Sequence, residues 1–248
     1  MTVITSPQNP RLKALRRLQS RRGRAAAHTF LAEGEDLVQA AALAGRPALE
    51  GYRLAGSGLG GAGFLDVEAQ ALGEVSTLGS GTRVIGVYEQ RWGAPVGPLC
   101  VYLHGVGDPG NVGTVLRSAQ AFGASSVAFG PRCADPHSPK AVRASMGAIF
   151  SVALAHVSAI SELPGERVAL SADAPEALTA PAEGPRAGVT LLVGAEREGL
   201  PEDVIAQCEH RARIPIATES LNAAMAATVA LYEMTRRGGW DIDTVPAS

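Results

Sequence analysis

The sequence predicts an α/β fold with a parallel sheet, and three observations carry that prediction. From Leu99 onward short apolar runs alternate with helical patterns, the order in which crossover helices join parallel strands. The chain is 46% apolar and 19% charged over 248 residues, enough to bury the core of one or two domains and too apolar for a disordered chain. Only 11 residues are aromatic (Phe 5, Trp 2, Tyr 4), so that core must be built from Ala, Val, Leu and Ile.

Residues 1–50 read as helix, with Ser6–Pro7 as a start, and a second helical pattern follows from Glu35 to Ala44. Residues 51–98 are Gly-rich (Gly56, Gly58, Gly60, Gly61, Gly63), with a β-like run at Thr82–Tyr88. Gly93–Pro98 has the composition of a linker. Strands are expected at Leu99–His104, Ser126–Phe129, Arg167–Ser171, Val189–Val193 and Arg211–Ile214. Helices are expected at Asn111–Phe122, Glu202–Cys208 and Ser220–Arg237.

Composition also excludes several classes. Cys100, Cys133 and Cys208 lie far apart with no C-x-x-C spacing, which argues against a metal site and a disulfide framework and fits a reducing cytoplasm. The longest near-apolar run, Met146 to Val157, is too short to span a bilayer, and no secretory signal is expected at the N-terminus. A cytoplasmic protein, with no membrane partner and no metal, is the expectation. The net charge of −2 hides an asymmetry. Seven of the 22 Lys and Arg residues (Arg11, Lys13, Arg16, Arg17, Arg21, Arg22, Arg24) precede Glu33 with no acid among them, which leaves 15 against 24 acids. Such an arm suits phosphate groups of a nucleic acid. Leu12, Leu15 and Leu18 at helical spacing equally allow a solvated face of an amphipathic helix.

Ligands of open α/β sheets bind beyond the carboxyl ends of strands. Three post-strand loops qualify: His104–Gly113 (H-G-V-G-D-P-G-N-V-G), Gly194–Pro201 (G-A-E-R-E-G-L-P) and Ile214–Asn222 (I-P-I-A-T-E-S-L-N). The first contains G-x-G-x-x-G at Gly105, Gly107 and Gly110, but Asp108 and Pro109 inside it disfavour a dinucleotide, and with it a nicotinamide-dependent dehydrogenase. Each loop alone is also readable as a tight βα turn. Arg117 points away from the stripe of Val112, Val115, Leu116, Ala119 and Phe122, as an exposed arginine or as a cation held over a site. Ser220 could be the N-cap of the last helix, and Asn222 a first-turn polar residue.

Taken together and in order, D-P-G-N-V-G-T-V-L-R-S-A-Q-A-F-G-A (108–124), V-G-A-E-R-E-G-L-P (193–201) and I-P-I-A-T-E-S-L-N-A-A-M-A (214–226) resemble the three motifs of the SpoU-type RNA ribose 2′-O-methyltransferases, of the knotted SPOUT superfamily. S-P-K-A-V-R-A-S-M-G-A (138–148) is also similar to that family, and N-P-R-L-K (9–13) with F-L-A-E-G (30–34) resembles its substrate-binding domain. The resemblance implies an RNA substrate-binding domain over 1–95, a small α/β unit with a ribosomal-protein-like fold. It implies a SPOUT methyltransferase domain over 96–248 whose parallel sheet carries a deep trefoil knot, a feature almost absent from proteins and one no pattern argument would produce.

The same resemblance implies S-adenosylmethionine as cofactor, held by Gly194, Ile214 and Leu221 with Glu196, Gly199 and Ile216 close by. It implies a homodimer and an RNA substrate, ribosomal rather than transfer RNA. Catalytic roles would fall to Arg117, Asn111, Glu196, Ser220 and Asn222, and RNA binding to Arg11, Lys13, Arg16, Arg17, Arg21 and Arg22. Guanidinium is a poor base, with a pKa above about 12, so Arg117 is read as a cation that binds phosphate and stabilises a developing alkoxide. Which group takes the proton stays open. The alternatives are transfer RNA as substrate and a non-catalytic RNA-binding protein on the same fold, the latter suggested by Ala195 where many relatives carry Asn and by the short third motif.

Overall fold

The structure, a computed structural model, describes residues 3–77, 81–179 and 188–237. In chain order the elements are α1 (Pro10–Arg17), α2 (Arg21–Ala27), β1 (Thr29–Glu33), α3 (Glu35–Leu43), β2 (Glu50–Leu54), β3 (Leu65–Val67), α4 (Ala69–Gly73) and β4 (Val84–Glu89). There follow β5 (Leu99–Leu103), α5 (Pro109–Ala121), β6 (Ser126–Phe129), α6 (Pro139–Ala144), β7 (Ala153–His156) and β8 (Glu166–Leu170). The last are β9 (Glu176–Ala177), β10 (Val189–Val193), α7 (Glu202–Ile205), β11 (His210–Arg213) and α8 (Ala223–Arg237). Among the described residues no helix is long and apolar enough to cross a membrane, and no cluster of His, Cys, Asp and Glu could hold a metal ion.

Two compact units form. The first comprises the chain up to Gln90 together with Asp135–Phe150; the second comprises Arg91–Ala134 and the chain from Ser151 onward. The segment 135–150, which a division at residues 95 and 96 assigns to the second domain, thus packs within the first unit.

The first unit holds a four-stranded sheet in the order β1-β4-β2-β3, antiparallel except for β2 with β3. Its opening differs from the continuous helix that the sequence suggests. Asn9, not Ser6, caps α1, its side chain accepting the Arg11 N–H at 2.9 Å with Pro10 in the first turn. Leu12, Leu15 and Leu18 are buried as the spacing predicts. Ser20 then caps α2 by accepting the Gly23 N–H, and Gly23 is required there, because a Cβ would lie 1.9 Å from the Arg17 carbonyl oxygen. Thr29–Glu33 is a strand because register pairing with β4 along its whole length outweighs the helical pattern of the alanines before it. Arg24 is 3% exposed; its Nε and Nη2 donate to Asp135 Oδ2 at 2.9 and 2.6 Å, and its Nη1 donates to the Leu18 and Gln19 carbonyls. Such a buried cation persists only because its donors are paired.

The second unit holds a seven-stranded, wholly parallel sheet in the order β7-β6-β5-β10-β8-β11-β9. β5, β6 and β10 are buried along their full length, as strands covered on both faces must be. Residues of the expected linker are fastened to the sheet: Gly93 donates to the Leu154 carbonyl at 2.8 Å, and Val96 exchanges two hydrogen bonds with the Ser126 hydroxyl. α5 starts at Pro109 because Asp108 caps it, accepting the Asn111 N–H at 3.0 Å. α8 starts at Ala223, not Ser220. Asn222 is its cap, with Oδ1 accepting the Ala224 and Met225 N–H groups at 2.9 and 3.3 Å. α8 packs on α5, with Ser118 and Thr228 hydroxyls 2.6 Å apart.

Candidate active site

β10 lies between β5 and β8, so the loops leaving the carboxyl ends of β5, β8, β10 and β11 open on one side of the second unit. The β10 loop is a tight turn in which Ala195 and Gly199 exchange backbone hydrogen bonds at 3.2 and 2.9 Å. Two glycines make that turn possible. Gly199 has φ +67, and a Cβ on Gly194 would sit 2.1 Å from the Gly199 carbonyl carbon.

The turn presents Glu196 to the other two loops. Glu196 Oε1 accepts hydrogen bonds from Asn111 Nδ2 and, at 2.9 Å, from Asn222 Nδ2, which also reaches Asn111 Oδ1 at 3.1 Å. Each amide is itself anchored at a helix start: Asn111 donates its N–H to Asp108, and Asn222 caps α8. Three residues, one from each glycine-rich or polar loop, thereby form one fixed polar cluster.

Beside it lies a cavity of about 430 Å³. Gly194, Glu196, Gly199, Ile214, Ile216 and Leu221, the six residues expected to bind the cofactor, all line it. Its remaining walls include the apolar Leu170, Val193, Leu200 and Ile205. Arg211 also lines it, paired with Asp173 at 2.5 Å and reaching Ser171 Oγ at 3.3 Å, while its buried Nε–H has no partner among the described residues. The Ser171 hydroxyl and Arg211 hold the Asp173 carboxyl at about 2.

The other expected residues are distributed differently. Ser220 stands exposed on the cavity rim and takes no part in the Asn111–Glu196–Asn222 cluster. Arg117 is exposed on α5, as its place off the apolar stripe predicts, and its side chain makes no hydrogen bond or ion pair with any described residue. Arg11, Lys13, Arg17, Arg21 and Arg22 are exposed on α1 and α2, whereas Arg16 is engaged with Glu74 at 3.4 Å and with the Pro7 carbonyl.

A second cavity, of about 350 Å³, is walled by Gly105–Asp108, Arg132 and Ala195–Glu198. Arg132 adopts a left-handed φ of 60 and pairs with Glu198 at 3.5 Å. His104, at the end of β5, has its pKa pushed down by burial and by the nearby Arg132 cation. Sequence reasoning singled out neither Arg132 nor Arg211. The signal for Arg132 was present, a cation directly after Gly130-Pro131 at the carboxyl end of a strand.

Comparison with known proteins shows the family. Residues 9–86 match the MRM3-like substrate binding domain. The chain is 30% identical to an uncharacterised tRNA/rRNA methyltransferase of Synechocystis over 97% of its length and 96% of that protein's. It is 27% identical to a 23S rRNA (guanosine-2′-O)-methyltransferase of Bacillus subtilis over 94% of its length and 99% of that protein's. The structure is similar to the AdoMet-bound rRNA methyltransferase from Sinorhizobium meliloti, with a TM-score of 0.83 at 30% identity, covering 95% of this chain and 97% of that one. Residues 98–232, which carry all three loops, the polar cluster and both cavities, match the SpoU rRNA Methylase model, and the chain belongs to that family.

Proposed function

We propose that this protein methylates a ribose 2′-hydroxyl in RNA, ribosomal rather than transfer RNA, using S-adenosylmethionine. The single observation that carries the reading is the Asn111–Glu196–Asn222 cluster at the edge of the 430 Å³ cavity. The similar proteins named as rRNA and 2′-O-methyltransferases, one of them bound to AdoMet, support the choice of reaction.

The cavity fits the cofactor. Its volume lies within the range of small-molecule sites, and its aliphatic walls suit an adenine ring. A Cβ on Gly199 would meet nothing within 4 Å, so that position leaves open space, and the buried Arg211 Nε–H, without a partner among the described residues, offers a donor to a polar group of the ligand. Gly194, Gly199, Ile214, Ile216 and Leu221 would hold it. S-adenosylmethionine supplies a methyl group activated by its sulfonium.

The chain's own residues then have two tasks: to align the ribose oxygen with the methyl and to stabilise it as it loses its proton. Asn111 and Asn222 fix Glu196 through Oε1, which leaves Oε2 to accept from the hydroxyl. Arg117, whose side chain has no partner among the described residues, binds the adjacent phosphate and stabilises the developing alkoxide. Ser220 contributes from the rim. Arg11, Lys13, Arg17, Arg21 and Arg22, with Arg16 beside them, form the face that draws in RNA.

The trefoil knot, a homodimer and a cytoplasmic location belong to the same reading. For the knot, the support is that the chain leaving β10, between β5 and β8, continues past β8 to β11 before returning as α8 against α5. For the dimer, it is the exposed apolar row Met225, Val229 and Tyr232 on α8. The test is methyl transfer from labelled S-adenosylmethionine to ribosomal RNA from cells lacking this protein, with 2′-O-methyl positions mapped. One labelled ribose position is expected. Cofactor and RNA binding without transfer would leave the RNA-binding alternative standing instead.

A further inference from the structure

A transfer between two bound molecules needs two sites with a common wall, so that both reacting atoms face one another. The second cavity meets that condition. It shares Ala195, Glu196, Arg197 and Glu198 with the cavity assigned above to the cofactor.

Its character differs from that of its neighbour. At about 350 Å³ it has room for one nucleoside but not for a paired helix, and it is lined by charged residues (Asp108, Arg132, Glu196, Arg197, Glu198) and small ones. Gly107 lies outside the left-handed region, and a Cβ there would meet nothing nearer than the Gly105 carbonyl oxygen at 3.9 Å. Neither its backbone angle nor any close neighbour among the described residues demands glycine at that point; its missing side chain keeps the cavity open. Arg132 is held in a conformation costly for a residue with a side chain, a form of strain found where a surrounding site over-determines it. Its pair with Glu198 is long and mostly exposed on both sides, so the guanidinium is weakly held. A phosphate offers the bidentate geometry that guanidinium prefers and would displace that carboxylate.

We propose that this second cavity receives the acceptor nucleotide of the RNA, unpaired and unstacked, and that Arg132 exchanges Glu198 for the phosphate beside it. The proposal rests on the methyl-transfer reading. It also specifies the substrate further: a base already free of a duplex, as in a loop or bulge, where RNA is most open to specific recognition.

The experiment measures methyl transfer to the same ribosomal RNA, and S-adenosylmethionine affinity by calorimetry, for the full chain and four variants. Gly107→Leu fills the cavity and is expected to abolish transfer with cofactor affinity intact, Gly107→Ala giving a smaller loss. Arg132→Ala is expected to raise KM for RNA roughly ten- to hundredfold, as for loss of a hydrogen bond to a charged group, with kcat little changed. Glu198→Gln frees the guanidinium and should lower KM, which a merely structural role for the pair would not do. Wild-type KM in both Gly107→Leu and Arg132→Ala would overturn the acceptor site while leaving the methyltransferase reading intact. A wild-type chain that transfers no methyl group to RNA would overturn both. Should Gly107→Leu lose cofactor affinity through misfolding, the exposed Arg132 and Glu198 variants decide the matter alone.

Discussion

The Arg117 side chain, unlike those of Asn111, Glu196 and Asn222, is held by no hydrogen bond among the described residues. Replacing it with Ala should therefore leave the fold and cofactor affinity intact while lowering the transfer rate on the order of 10² to 10³, the effect of removing one preorganised donor. Arg117→Lys distinguishes charge from shape: partial rescue indicates electrostatic stabilisation, and none indicates a bidentate clamp on phosphate. Wild-type rates in Arg117→Ala would return the residue to an ordinary surface arginine. His104 gives a prediction of a different kind. Its folded pKa lies below the usual 6.5, so the unfolded chain binds the proton more readily and stability falls as pH drops below that value. The melting temperature should decline from pH 7 to pH 5, less steeply in His104→Gln. The Glu209 and Asp173 carboxyls, each held at about 2, add a separate loss only below about pH 4.5. Of the site residues, Asn111, Glu196 and Asn222 were legible because each sits at a fixed place in a recognisable loop. Their mutual hydrogen bonds were not, since three loops separated by up to 111 positions meet only through strand order. Ser220 misled because a serine before an alanine run is a strong cap signal, and the side chain that caps is two residues further on.

At the scale of elements, the basic arm is two short helices, and its exposed cations are divided between them. Replacing Arg16, Arg17, Arg21 and Arg22 with Ala should weaken RNA binding and leave cofactor affinity unchanged. Each lost phosphate contact should flatten the log–log salt dependence by about 0.7 to 0.9, with Arg16 contributing least because Glu74 already occupies it. An unchanged slope would make the arm a solvated helix face. The buried strands Ser126–Phe129 and Val189–Val193 were fully legible, since a short aliphatic run buried on both faces has few other uses. β1 was not. Its alanine-rich approach favours helix, and only the distant partner β4 makes it a strand.

For the whole molecule, the apolar row on α8 carries the assembly prediction: Met225 is 61% and Tyr232 54% exposed. A homodimer through this helix should sediment at twice 25.5 kDa at micromolar concentration. Met225→Glu with Val229→Glu should shift it to monomer, and a wild-type monomer would discard the assignment.

The excursion of Asp135–Phe150 into the first unit bears on how the protein is made. When residue 90 leaves the ribosome, all four strands of the first sheet are present, but Arg24 lacks its carboxylate partner Asp135. Phe30 and Tyr88 likewise await Phe150, whose ring settles 5.9 and 4.8 Å from theirs. The N-terminal unit therefore cannot finish first, as domains usually do during synthesis. Stalled nascent chains should stay protease-sensitive over the first 90 residues until Phe150 has cleared the exit tunnel, and become resistant afterwards. Resistance at shorter lengths would mean that the first sheet is stable without the returning segment. The same dependence makes residues 1–90 a poor cassette for transplantation: a graft ending there leaves a buried cation without its counter-ion.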